Sequence, residues 1–368
     1  MAEITALERR HHAFYAPAYR ILVNGADLLT SELVEITTVQ VDATLEGCDR
    51  FSFTVNGGFD FARREFATRR GYDPIGSLFA FGGEVAIHMG YRDTSSLRLL
   101  HRGMITAVAT SFPAAGLPQI TVSGYDLSYC MRNARRSRVW DRQKDSQIAA
   151  QIAGGYNLAA EVRDSEVEHA RTEQNQQTDQ EFLQMLAERN GYEVFTRDRT
   201  LYFRPPASDQ AAGLTLEWGK GLVSFSPELN IAEQVTEVEV RGWNVATKQE
   251  IVGRARAGDE RGRDGGQRSG GEHLRSACRQ EQALQMRFPV RSQQEADQKA
   301  RSILKQRAEQ FIKGSGESIG LPEIMPDTNI DLRGLGRMFS KTYYVEQATH
   351  TVSTSGYKTT FRVKETTL

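Results

Sequence analysis

Residues 341–364 read KTYYVEQATHTVSTSGYKTTFRVK, and this stretch decides the fold class. Two runs rich in aromatic and β-branched side chains flank Ser353-Thr-Ser-Gly356, a turn between strands, so the chain closes on an antiparallel hairpin. An upstream segment echoes it. Ile105 to Gly116 and Val345 to Gly356 have the same spacing, each a strand followed by a glycine-containing turn before another strand. Strand–turn–strand segments are common, so the match fits internal duplication or coincidence.

Outward from the echo, residues 19–126 read as strands after a polar arm at 1–18. Tyr19, Ile21 and Val23 alternate before Asn24-Gly25, a hairpin-turn dipeptide, and the pattern resumes through Val34, Ile36 and Val39 to Phe51, Phe53 and Val55. This predicts an antiparallel meander. Further strands at 84–91, 101–112 and 118–124 are spaced as in a small barrel or sandwich.

Residues 127–205 change character. Thr178-Asp-Gln-Glu181 is a capping box, in which hydroxyl and carboxylate satisfy two backbone donors that a helix start leaves unpaired. Phe182, Leu183, Leu186 and Ala187 then form one apolar stripe, and Gly191 stands where a left-handed C-terminal cap belongs. The strands YEVFT and TLYFRP complete a small α/β unit.

From 206 to 316 the chain returns to strands, interrupted by 253–272, GRARAGDERGRDGGQRSGGE, which has almost no apolar side chain and is expected to be a mobile loop. Ser292-Gln-Gln-Glu295 then opens an amphipathic helix, expected over 293–313. Ala296, Ala300, Ile303, Leu304, Arg307 and Phe311 fall at helical spacing, with Gly314 as the stop. Residues 317–368 supply the last strands.

The 46 Lys and Arg nearly cancel the 47 Asp and Glu, so no global field recruits nucleic acid or anionic lipid. No apolar run is long enough for a membrane span, and MAEITALERRHH lacks the apolar core of a signal peptide, which points to synthesis in the cytoplasm. Cys48, Cys130 and Cys278 stand far apart with no CxxC pair, so neither a disulfide framework nor a zinc knuckle is indicated.

The sharpest enzymatic lead is Gly316-Glu-Ser318-Ile-Gly320, a literal G-x-S-x-G followed in hydrolase order by Asp327 or Asp331 and then His350. A nucleophile elbow needs a strand before the serine and a helix after it. Here a helix is expected before it and Pro322 and Pro326 follow, so the motif reads as a flexible connection, with a serine hydrolase as the rival reading. Glu166, Glu168 and His169 lack the helical spacing of a zinc site and read as a solvated segment, while Gly219-Lys220-Gly221 lacks the residues of a phosphate loop. No catalytic residue, cofactor or metal is assigned.

The run 131–144 clusters Arg132, Arg135, Arg136, Arg138, Arg142 and Lys144. Near-zero net charge favours a solvated or carboxylate-paired face over a polymer-binding one. Arg135, Arg136 and Arg138, with Arg254, Arg256, Arg261 and Arg263 of the polar run, are the candidates for contact with a neighbouring subunit.

The residues Asp179-Gln-Glu-Phe182-Leu183 through Leu186-Ala187-Glu-Arg189-Asn-Gly191-Tyr, ending in Leu201-Tyr-Phe, resemble the middle-domain signature of the phage late-control D family. Pro322-Glu-Ile through Tyr343-Tyr-Val345, His350, Gly356-Tyr357, Thr359 and Phe361-Arg-Val363 resemble its closing barrel, and Gly103-Met-Ile-Thr106 through Gly124-Tyr-Asp126 its first. The resemblance covers roughly residues 19–365. It implies a mainly β, α+β chain: two tube-protein-like antiparallel barrels with an inserted α/β domain and a long amphipathic helix. It further implies a homotrimeric baseplate hub of a contractile tail or injection system, related to the N-terminal half of type VI secretion spike proteins. Such a hub joins a sixfold inner tube or tube initiator to a threefold spike and touches other baseplate proteins. It implies no catalysis, no membrane span and no specific nucleic acid. The chain stops at Leu368 after the second barrel, so the spike is expected to be a separate protein. Asp327 stands where the family usually has Gly, which a type I turn would tolerate.

Overall fold

A computed structural model describes residues 4–11, 14–30, 35–56, 58–68, 71–92, 97–244, 248–260 and 267–368. Its spine is one 13-stranded sheet that wraps two apolar cores.

The first core is enclosed by strands Pro17–Val23, Glu35–Thr44, Arg50–Asn56, Glu84–Tyr91, Arg98–Ser111 and Gln119–Asp126. Numbered in chain order, they lie side by side as 1-4-5-6-3-2, every neighbour antiparallel. The expected meander is therefore corrected. Asn24 and Gly25 do turn the chain, both at positive φ, but only onto the two-residue strand Ala26–Asp27, and Pro17–Val23 makes its long ladder with Glu84–Tyr91. That partner covers Ile21 and Val23, which are fully buried.

The second core is enclosed by Leu214–Trp218, Gly221–Leu229, Ile312–Ile319, Asn329–Arg333, Thr342–Ser353 and Gly356–Glu365. Their order is again 1-4-5-6-3-2, and a short pairing of Glu217 and Trp218 with Gly221 and Leu222 closes the ring into a six-stranded barrel. Five of the six strands also keep the directions of the first set. The first strand alone is reversed, since Leu214–Trp218 runs parallel to Asn329–Arg333.

The duplication extends to irregularities. In each set the second strand carries one extra residue against the third, Thr37 in the first and Val223 in the second. The fifth strand carries one against the sixth, Thr106 and Glu346. A bulge bends its strand at one place and increases local twist. Two bulges at matched ladder positions make the halves structural repeats, though hardly a side chain is shared.

The first barrel stays open. Its second strand, Glu35–Thr44, turns from Pro17–Val23 and pairs instead with the fifth strand of the second barrel, Val39 facing Val352 and Ala43 facing Ala348. The Tyr19 hydroxyl spans the gap, donating to the Ile36 carbonyl at 2.8 Å. Met325, Val352 and Tyr357 consequently enter the first core.

Two units are inserted. Residues 127–213 hold the helices Asp145–Gly155 and Asp179–Asn190 against short sheets around a core of their own. Residues 230–311 form a three-stranded sheet under Gln293–Ala308. That helix is shorter than the 293–313 read from spacing. It ends at Ala308, and the chain is already a strand at Ile312, where Gly314 pairs with Val363. The polar run 253–272 is likewise not one loop. Strand Gln249–Arg256 continues to Arg256 with Ala255 buried, and Ser269 caps a helix beginning at Gly270 by accepting from Glu272 N–H. Nor is the N-terminal segment merely a polar arm: helix Ile4–Arg10 places Leu7, fully buried, in the second core.

Candidate functional site

The signature helix of the inserted domain is built as follows. The Thr178 hydroxyl accepts from Glu181 N–H at 3.1 Å, and the Glu181 carboxylate accepts from Thr178 N–H at 2.8 Å. Phe182, Leu183 and Leu186 are fully buried, Phe182 stacking on Trp140 at 4.9 Å, and Gly191 ends the helix at φ 67. Next to this helix start lies the arginine strand Arg135–Lys144, paired with Glu168–Thr178. Arg136 and Arg138 both point at the buried Asp179 carboxylate, each 3.6 Å away, and Arg135 donates to the Gln176 carbonyl at 2.7 Å. Asp179 also accepts from Tyr156 at 2.7 Å and Gln174 at 2.9 Å. Arg254 is paired with Glu239 at 2.9 Å and Arg256 with Glu237 at 3.3 Å. Arg261 and Arg263 lie outside the described residues. The structure thus brings Arg136 and Arg138 to Asp179, and Arg254 and Arg256 to Glu239 and Glu237, in two separate places.

Ser318 and His350 of the hydrolase reading stand on either side of Thr359, each its cross-strand partner, and the bonds they make are not those of a triad. Ser318 is fully buried in strand Ile312–Ile319, its hydroxyl donating to the carbonyls of Ile319 at 2.9 Å and Thr359 at 3.4 Å. His350 Nε2–H donates to the Ile324 carbonyl at 2.9 Å, which leaves Nδ1 to accept from the Tyr357 hydroxyl at 2.9 Å. Burial pulls that imidazole down to about 4. Asp331 pairs with Arg333 at 2.8 Å. The motif is therefore a barrel strand and not the flexible connection read from its glycines. Glu166 and Glu168 are exposed, as read from sequence, and only His169 departs from a solvated segment, lying 3.7 Å from both Asp145 and Glu295. Among the described residues no cluster of His, Cys, Asp and Glu could hold a metal ion, and no helix is long and apolar enough to cross a membrane.

Asp327 is at φ 63, so this position keeps the left-handed conformation that favours Gly and does not make a type I turn. Its carboxylate gains a use there, held by Arg204 of the inserted domain and by the Tyr344 hydroxyl at 3.0 Å. Tyr344 also reaches Glu193 at 2.6 Å, and burial raises the Glu193 carboxyl above its ordinary value. This buried junction fixes the inserted domain on the second barrel.

Sequence reasoning missed two bare strand edges. Residues 223–229 pair with Ile312–Ile319 on one side and, among the described residues, with no strand on the other. Residues 107–111 pair with Gln119–Ser123 and are likewise uncovered opposite. Pro227 was the available signal, because proline inside a strand is confined to edges.

A family model described as the Alg8 N-terminal domain matches residues 16–354, which takes in the first barrel, both insertions and every strand of the second barrel but its last, Gly356–Glu365. The chain belongs to the Alg8 N-terminal domain family. No curated protein is significantly similar to it in sequence. Solved structures similar to it include a 43 kDa tail protein of prophage MuSo2 from Shewanella oneidensis, with TM-score 0.70 and 13% identity over 95% of this chain and 98% of that one. The tail protein from Neisseria meningitidis MC58 gives TM-score 0.69 and 12% identity over 95% and 97%. The c3393 protein of E. coli, a component of the type VI secretion system, gives 0.56 and 14% over 93% and 76%. At such identities the likeness shows the fold: this member of the Alg8 N-terminal domain family is built as phage tail proteins are.

Proposed function

We propose that the chain is a structural baseplate hub of the late-control D type in a contractile phage tail or phage-tail-like injection system. It acts as a homotrimer, joining a sixfold inner tube to a threefold spike, and is incorporated in the baseplate after synthesis in the bacterial cytoplasm. It performs no catalysis. The observation that carries this reading is the internal repeat, two barrels with one strand order and matched bulges in one chain. Three such chains present six similar barrels in a threefold arrangement, which is what a component between sixfold and threefold neighbours requires. The fold shared with two phage tail proteins and a type VI secretion component supports the setting. The buried hydrogen bonding of Ser318 and His350 speaks against the hydrolase reading.

Native mass spectrometry of the purified protein, with electron microscopy of the same sample, tests the proposal. A three-chain ring with a central channel is expected. A protein that stays monomeric and still enters assembled tail particles would overturn it.

A further inference from the structure

The two repeats are joined by a contact that the chain makes once and leaves half-prepared a second time. In the first barrel one row of facing residues runs Val41, Phe51, Gly124, Ile105. The corresponding row in the second runs Pro227, Gly314, Val363, Val345. Val41 therefore corresponds to Pro227, and Ile105 to Val345. Within the chain, the edge of the first barrel's second strand is covered by the second barrel's fifth strand, Val41 opposite His350. The counterparts of these two edges are the second barrel's second strand, Gly221–Leu229, and the first barrel's fifth strand, Arg98–Ser111. They are the two bare edges.

We infer that these edges pair with each other between copies of this chain, residues 225–229 of one copy running antiparallel to 108–112 of the next. Carrying the internal register across places Phe225 opposite Phe112, Pro227 opposite Thr110 and Leu229 opposite Val108, with Ser226 opposite Ser111 and Glu228 opposite Ala109 between them. The inference deepens the homotrimer reading by naming its interface, and rests on that reading only for the number of copies.

The side chains suit this register. In the internal contact the residues facing the core are Val39, Val41 and Ala43 against Ala348, His350 and Val352, all buried. The same face of the bare edges carries Phe225, Pro227 and Leu229 on one and Val108, Thr110 and Phe112 on the other, nearly all apolar. Yet Phe112 is 61% and Leu229 36% exposed in the single chain. Phe112 already packs on Phe59 at 5.6 Å and Phe66 at 5.7 Å, so an apolar platform awaits a cover. The opposite face of both edges is polar or small.

The backbone agrees. Asn230 N–H donates to the Phe311 carbonyl, and strand alternation then turns the N–H groups of Phe225 and Leu229 to the bare side. Pro227 offers none there, which blunts the edge against indiscriminate pairing while leaving donors on either side of it. The pairing is heterologous, because the two edges differ, so one repeated contact can close a ring.

Cysteine cross-linking tests register and partner together. Ser226 and Ser111 stand as Gln40 and Thr351 do in the internal ladder. There Leu45 N–H bonds to the Glu346 carbonyl, so the Gln40–Thr351 position is a close, non-hydrogen-bonded pair suited to a disulfide. In a Cys130→Ser, Cys278→Ser background, Ser111→Cys and Ser226→Cys variants should each stay uncross-linked alone and give a two-chain product when mixed. The double variant should run as covalent dimers and trimers under non-reducing conditions. A mixture that does not cross-link, or cross-linking as strong when Thr110→Cys replaces Ser111→Cys, overturns the pairing. A native trimer without the cross-link would sink this interface and leave the hub reading standing. The cross-link in a ring of another size, or in an open filament, would support the interface and sink the trimer.

Discussion

Gly316 lies flat against the ring of Phe361, its cross-strand partner: a Cβ on Gly316 would stand 2.5 Å from Phe361 Cζ. Gly320, the motif's other glycine, leaves room in the same way for the ring of Tyr357, and Gly314 does so for Phe225, whose Cζ would stand 2.6 Å from a Cβ there. The glycines of the hydrolase-like motif are spaces for aromatic rings of the barrel. Gly316→Ala should therefore overpack the barrel and cost about 1–3 kcal/mol in a denaturant titration. A fluorophosphonate probe should label the wild type and Ser318→Ala alike, at background. Labelling that Ser318→Ala abolishes would bring the hydrolase back.

The inserted domain should depend on its stripe more than on its cap. Leu186→Ala opens a cavity in a closed core and should cost about 2–5 kcal/mol. Thr178→Ala removes one cap acceptor and should cost about 1 kcal/mol. Thermal unfolding of the two variants orders the effects, and equal midpoints would contradict the burial of Leu186.

His350 gives the barrels an acid-labile point. Its folded-state value is about 4 against an ordinary 6.5, so between these the unfolded chain binds the extra proton and stability falls as pH drops from about 6.5 toward 4. His101, pulled by burial to about 3, acts in the same direction, while the raised Glu193 acts oppositely by losing stability as pH rises through its folded value. His350→Gln keeps a donor and an acceptor without the titration. Its stability should fall less steeply on acidification, by up to about 1.4 kcal/mol per pH unit. An unchanged slope, measured by urea unfolding between pH 4.5 and 6.5, would show that the imidazole is already protonated or exposed.

At the junction of inserted domain and barrel, Arg204→Ala should cost more than Tyr344→Phe. The first leaves the buried Asp327 charge without its guanidinium, about 1.5–3 kcal/mol. The second removes one hydroxyl whose partners keep others, about 0.5–1.5 kcal/mol. Limited proteolysis should then cut first between the inserted domain and the second barrel in Arg204→Ala.

What the sequence reveals here is local. The Thr178–Glu181 box, the Leu186 stripe and the closing hairpin each depend on residues a few positions apart, and each can be read from one segment. The neighbour of Pro17–Val23 could not be read, because Glu84–Tyr91 and Glu35–Thr44 offer equally suitable alternating faces and only the packed core chooses. Gly314 misled because one residue type serves both to end helices and to admit a ring, and the polar run misled because Ser269 starts a helix on capping alone. The bare edges were invisible because edge and interior strands differ in what lies beside them, and only Pro227 records that difference.

The strand Thr342–Ser353 is hydrogen-bonded into both barrels, and this governs the order of events on the ribosome. The Glu35–Thr44 edge emerges early but finds its partner only after about 300 more residues, a delay of tens of seconds at about 5–20 residues per second. During that interval a strand bearing Val39, Val41 and Ala43 has an unpaired side on which other nascent chains can template. Contacts this far apart in sequence also fold slowly. Yield in cells should therefore respond to translation speed and holding chaperones through this one edge, more than to the stability of the finished protein.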